Sequence, residues 1–170
     1  MKSNISILVK AIILTIVILI SYFAAHSISS IFNFKNSYVS GMWCAVTAVV
    51  VFDDQPENSK NLLRDRLLGT LVGAIVGGTI ISLMGHHIFA ISIALFIVCA
   101  VVIFFKWSGA LKISCIMVLI INFTTINYSN TEIWISSAMR FVEGVMGGSI
   151  SLLATTLLNK VRATTSSKFL

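Results

Sequence analysis

Apolar positions in this chain come in long runs, and polar ones gather in short breaks: "SSIFNFKNS", "DDQPENSKN", "GHH", "KWSG" and "NYSNTE". A helix needs about 20 apolar residues to cross a bilayer. The runs predict six transmembrane helices, at about 5–28, 37–53, 62–84, 88–105, 110–127 and 133–158. No room remains between them for a soluble domain, so 1–170 reads as a single transmembrane domain, an all-α integral membrane protein. A rival parse makes 11–23 the apolar region of a cleaved signal peptide ending at "FAA". The run is long for that, and cleavage would leave five spans.

Composition agrees: 57% of residues are hydrophobic and 11% charged, against roughly 25% charged in soluble domains. Mean hydropathy is +0.98. The net charge of +6 forms no basic stripe for nucleic acid and follows topology instead. With the N-terminus inside, Lys2, Lys60, Arg64, Arg66, Lys106, Lys112, Lys160, Arg162 and Lys168 fall on the inner side, and Lys35 alone among the loops on the outer. Positive charge is retained on the cytoplasmic side, so both termini are expected there. Lys10, two turns into the first span, has a stem long enough to snorkel back.

Trp107, Trp134, Tyr38 and Tyr128 fall at expected interfaces, whereas Trp43 lies deeper and reads as packing. Cys44, Cys99 and Cys115 sit inside apolar runs without metal-ligand spacing and read as small hydrophobes. His86 and His87 form an outer turn with no third ligand nearby. No H-E-x-x-H, G-x-S-x-G or Walker motif occurs, so ATP-driven transport by this chain alone is excluded, and no enzyme activity, cofactor or metal is expected. Asp53, Asp54 and Glu57 spell a D-D-x-x-E that a metal-dependent transferase could use. Pro56 interrupts it, and a second acidic cluster is missing.

Gly69, Gly73 and Gly77 recur every fourth place in the third run and clear one helical face of side chains. Between helices in lipid, close backbone approach supplies much of the attraction, so this is a packing face. "RLLGTLVGAIVGG" from Arg66 and "RFVEGVMGGSISL" from Arg140, 74 positions apart, also superpose Gly73 on Gly147. Three spans separate the blocks, so they cross the membrane in opposite senses, as in an inverted 3+3 repeat. That repeat would put the middle of the structure where spans three and six meet.

Arg140 and Glu143 share a helical face about two turns inside the sixth span, counted from Trp134. Charges at that depth face a bundle interior or a cavity and pair with each other. The structural reading is a pair that ties helices together. The functional one is a planar guanidinium offered to a carboxylate, tuned or released by Glu143, the only carboxylate expected deep in the membrane. Arg66, at the inner mouth of the third span, would attract anions from the cytoplasmic side; Arg64 and Asp65 read as interfacial anchors.

These residues resemble the membrane block of the fusaric acid resistance and aromatic acid exporter family. The resemblance runs from the second span to the sixth, on Trp43, Thr47, Pro56, Ser59, the R-x-x-G-T-x-x-G of Arg66, Gly69, Thr70 and Gly73, and the R-x-x-E of Arg140 and Glu143 with Gly147. It implies a six-helix block of a proton-coupled or facilitated exporter of aromatic carboxylic acids or related organic anions in a bacterial inner membrane. Many such proteins carry two blocks and cytosolic domains, which 170 residues cannot hold. A homo-oligomer, a dimer above all, or a partner membrane chain is therefore expected. The alternatives are an anion channel and a non-transporting membrane subunit that scaffolds a partner.

Overall fold

The computed structural model describes residues 2–31 and 37–167. They form α1 (Lys2–Ile31), α2 (Ser37–Val51), α3 (Pro56–Met84), α4 (Ile88–Phe104), a 3-10 turn at Ser108–Ala110, α5 (Leu111–Thr124) and α6 (Asn130–Ser167). No strand occurs among them. Leu8–Ile31, Pro56–Met84 and Asn130–Lys160 are long and apolar enough to cross a membrane. Ser37–Val51, Ile88–Phe104 and Ser108–Thr124 are shorter apolar helices.

Local chemistry sets the ends. Proline is tolerated at a first helical position because the missing N–H has no acceptor there. Pro56 therefore begins α3 six residues before the apolar run it was expected to precede. Just upstream, Asp53 Oδ1 accepts from Gln55 N at 2.9 Å and from Asn58 Nδ2 at 3.3 Å. Helix α3 ends at Gly85, which takes φ +76° and donates its N–H to Ile81 O at 2.8 Å. At the start of α6, Glu132 Oε2 accepts from Ser129 N at 2.9 Å while Glu132 N donates to Ser129 Oγ at 3.4 Å. That reciprocal pair is a capping box.

The chain divides into two compact units, one containing residues up to Leu63 together with those from Val145 onward, the other Arg64–Gly144. In the first, α1 packs along α2. Helix α1 buries Val17, Ser21, Ala25 and Ser29 at four-residue intervals, and a Cβ on Gly41 of α2 would stand 3.0 Å from Tyr22 O. The later part of α6 joins them through Gly147, whose missing Cβ would collide with Cys44 O and stand 3.2 Å from Thr47 Cβ. Ser59 Oγ donates to Thr155 Oγ1 at 3.3 Å, and Lys10 forms an ion pair with Asp54.

In the second unit, Ala94, Val98 and Val102 of α4 cluster with Ala110 and Val118 of α5 against Leu68, Val72, Val76 and Ile80 of α3. A neighbouring cluster joins Ala74 and Ile81 of α3, Met117 and Ile121 of α5, and Ile133 of α6. The glycine face of α3 lies on α5: a Cβ on Gly69 would be 2.8 Å from Ala110 O, on Gly73 2.6 Å from Ser114 O, and on Gly77 3.3 Å from Val118 Cα. Each unit thus sets a hairpin, α1–α2 or α4–α5, against glycines of a long helix, α6 or α3.

Side-chain size is distributed as lipid demands. Small residues fill the contacts, while Phe23, Phe96, Phe104, Leu153 and Leu157 point outward. Between surfaces that lipid already solvates, burial of bulk gains little, and close contact gains most.

Candidate anion site

Arg140 and Glu143 project from α6 three residues apart, with Arg140 Nη1 2.9 Å from Glu143 Oε2. Their side chains are 9% and 2% exposed, so both charges are withdrawn from solvent and lipid alike. The contact is a charge pair without hydrogen-bond alignment, and Arg140 Nε finds no acceptor among the described residues. An ion pair this deep stabilises little by itself, because desolvation offsets the attraction unless the remaining N–H groups are also satisfied. The guanidinium therefore holds donor capacity beyond what Glu143 uses, in the fork geometry that fits a carboxylate.

Helix α3 runs antiparallel beside it. Gly78 stands opposite Trp134 and Ser137 (3.6 Å and 3.4 Å from a Cβ built on it), and Gly144 stands opposite Leu67 (3.6 Å). This register puts Arg66, next to Leu67, near the level of Gly144. Glu143 therefore lies in height between the two arginines, roughly a turn or less from each at 1.5 Å per residue. Arg66 is partly buried, and its Nε also has no hydrogen-bond partner among the described residues.

Other candidates take structural places. Asp65 is more than an interfacial anchor, for its carboxylate lies against Gly109, in the turn that leads into α5. There it faces the positive end of that helix. Arg64 is exposed. His86, expected in a solvated turn, points Nδ1 at Asn122 O and Oδ1, both at 3.1 Å, and so ties the α3–α4 turn to α5. Asp53 and Asp54 are engaged as a turn acceptor and by Lys10, and no group of three or more His, Cys, Asp or Glu that could hold a metal occurs among the described residues. Trp43 is partly buried, and Trp107 stacks on Phe105 at 4.9 Å. Sequence reasoning missed the Cys99–Cys115 pair, with sulfurs 3.7 Å apart. The available signal was their symmetric spacing about the turn at Trp107.

The family model described as fusaric acid resistance protein-like matches residues 16–154. That match takes in α2 to α5 whole, with about half of α1 and two-thirds of α6, and includes every residue of the site. Comparison with curated proteins and with solved structures gives no match.

Proposed function

From the premise that this chain belongs to the fusaric acid resistance protein-like family, whose members are membrane transport-related, we propose that it exports aromatic carboxylic acids or related organic anions across a bacterial inner membrane. The observation that carries this reading is the buried Arg140–Glu143 pair with guanidinium N–H capacity left over. A substrate carboxylate satisfies those donors. Departure of the anion returns Arg140 to Glu143 alone, so the carboxylate of the protein competes with that of the substrate and keeps binding reversible. The substrate itself is unchanged by passage.

In this reading all six helices cross the bilayer, the short ones across locally thinned lipid or at little tilt. Both termini lie in the cytoplasm, as the Lys/Arg distribution favours. The parallel make-up of the two units supports an inverted 3+3 repeat, with α6 serving α1–α2 as α3 serves α4–α5. The protein acts in this reading as a homo-oligomer, a dimer being the simplest closed form.

Binding to the purified protein tests the site directly. Benzoate should bind at least tenfold more tightly than benzamide, which has the same ring without the charge, and Arg140→Gln/Glu143→Gln should abolish the preference. Equal binding of the two probes by the native protein would remove the anion site.

A further inference from the structure

The α4–α5 hairpin turns about Trp107, with Cys99 eight residues before it and Cys115 eight residues after. Antiparallel helices bring such positions to one level, and the two sulfurs stand 3.7 Å apart, both half-buried. Cys115 packs beside the aliphatic cluster of Ala94, Val98, Val102, Ala110 and Val118. A direct disulfide, at about 2.05 Å, would require the sulfurs to close by roughly 1.7 Å. Two thiolates bound to one atom at about 2.3 Å stand about 3.3 Å apart at the right angle of a pyramidal centre and about 3.8 Å apart at the tetrahedral angle. The two thiols, now in S–H···S contact at 3.7 Å, thus lie within a few tenths of an ångström of the bite of a dithiol on a single bridging atom.

Which atom follows from the surroundings. Structural zinc asks for four ligands, and no third His, Cys, Asp or Glu joins the pair among the described residues. A linear two-coordinate cation would have to spread the sulfurs. A mono-substituted trivalent arsenical needs two thiolates only, because its third bond is to its own carbon. Its dithiol adduct is pyramidal and uncharged, which suits a site walled by valine and alanine at a lipid-facing hairpin.

We propose that Cys99 and Cys115 form a binding site for mono-organic trivalent arsenicals, independent of the anion site on α6. In the reaction R–As=O + 2 Cys–SH → R–As(S–Cys)₂ + H₂O, two As–S bonds form and the arsenic–oxygen bond is broken. Both thiol protons leave with the oxygen as water, and no atom is oxidised or reduced. The adduct staples α4 to α5 at mid-helix.

Phenylarsine oxide, added at one equivalent to the full chain in detergent, tests this by intact mass. One adduct should form, survive a wash with excess 2-mercaptoethanol, and be removed by 2,3-dimercaptopropanol. Cys99→Ser or Cys115→Ser should each lower retention through the monothiol wash at least a hundredfold, since a single thiolate lacks the second, intramolecular bond. Cys44→Ser should leave retention unchanged. Alanine versions repeat the comparison should either serine variant fail to fold. Retention persisting in the single-cysteine-loss variants, or a native adduct as labile as theirs, would overturn the site.

Discussion

Gly73 of α3 lies so close to Met117 of α5 that a Cβ on the glycine would stand 2.6 Å from the Met117 Cβ and 2.6 Å from Ser114 O. Backbone oxygen cannot swing aside, so Gly73→Ala must push two helices apart. Gly69→Ala meets Ala110 O at 2.8 Å and shares that fate, whereas Gly77→Ala meets only Val118 Cα at 3.3 Å, which a few tenths of an ångström relieve. Thermal unfolding in detergent should show losses of about 2–4 kcal/mol at Gly73 and Gly69, in the range of severe overpacking, and under about 1 at Gly77. Three equal losses would contradict this contact geometry.

At Gly109 the obstacle is different, because the added Cβ would strike the Asp65 carboxylate, the free end of a side chain. Gly109→Ala should simply evict it. The cost is then the lost interaction with the positive end of α5, about 0.3–1 kcal/mol. Asp65→Asn should cost a similar amount, and the double variant little more than either single one, in a double-mutant cycle.

Lys106 takes φ +57°, with its N–H given to Ile103 O and that of Trp107 to Val102 O, both at 3.0 Å. This is the helix-ending arrangement in which glycine is usual, since a side chain there costs about 1 kcal/mol or more. Lys106→Gly should therefore raise stability by about 0.5–1 kcal/mol in the same unfolding assay. A fall in stability would mean that the lysine side chain contributes more than its backbone loses.

Removing one member of the Arg140–Glu143 pair leaves the other buried charge without that counter-ion. Arg140→Gln and Glu143→Gln should each destabilise by about 3–5 kcal/mol, and the double substitution by much less, because two neutral amides replace the pair. Additive losses in the double variant would show that the two residues do not depend on one another.

The sequence pattern marks the six helices because unbroken apolar runs carry their own length; the departures are the end of α6, which runs on through polar residues to Ser167, and the start of α3. Pro56 reads as a break when only apolarity is followed, yet proline at a first position permits the polar turn to join the helix. The glycine face of α3 was readable from spacing, but its partner was not. Periodicity says which face is bare and nothing of what covers it, which is α5. Arg140 and Glu143 were legible because a charged pair three residues apart in an apolar helix has few places to go. Asp65 against Gly109, His86 against Asn122 and Cys99 beside Cys115 are tertiary relationships between separate helices and turns. No short-range pattern specifies them.

The central claim is that the positive charge of Arg140 carries an organic anion through this protein, and flux tests it most directly. Efflux of labelled benzoate from proteoliposomes should be rapid with the native chain and fall to the protein-free rate with Arg140→Gln/Glu143→Gln, once both are shown to fold and to assemble alike. Flux undiminished in the double variant would contradict the account. No flux from the native chain, across benzoate and a panel of other aromatic carboxylates, would contradict it equally and favour a membrane scaffold.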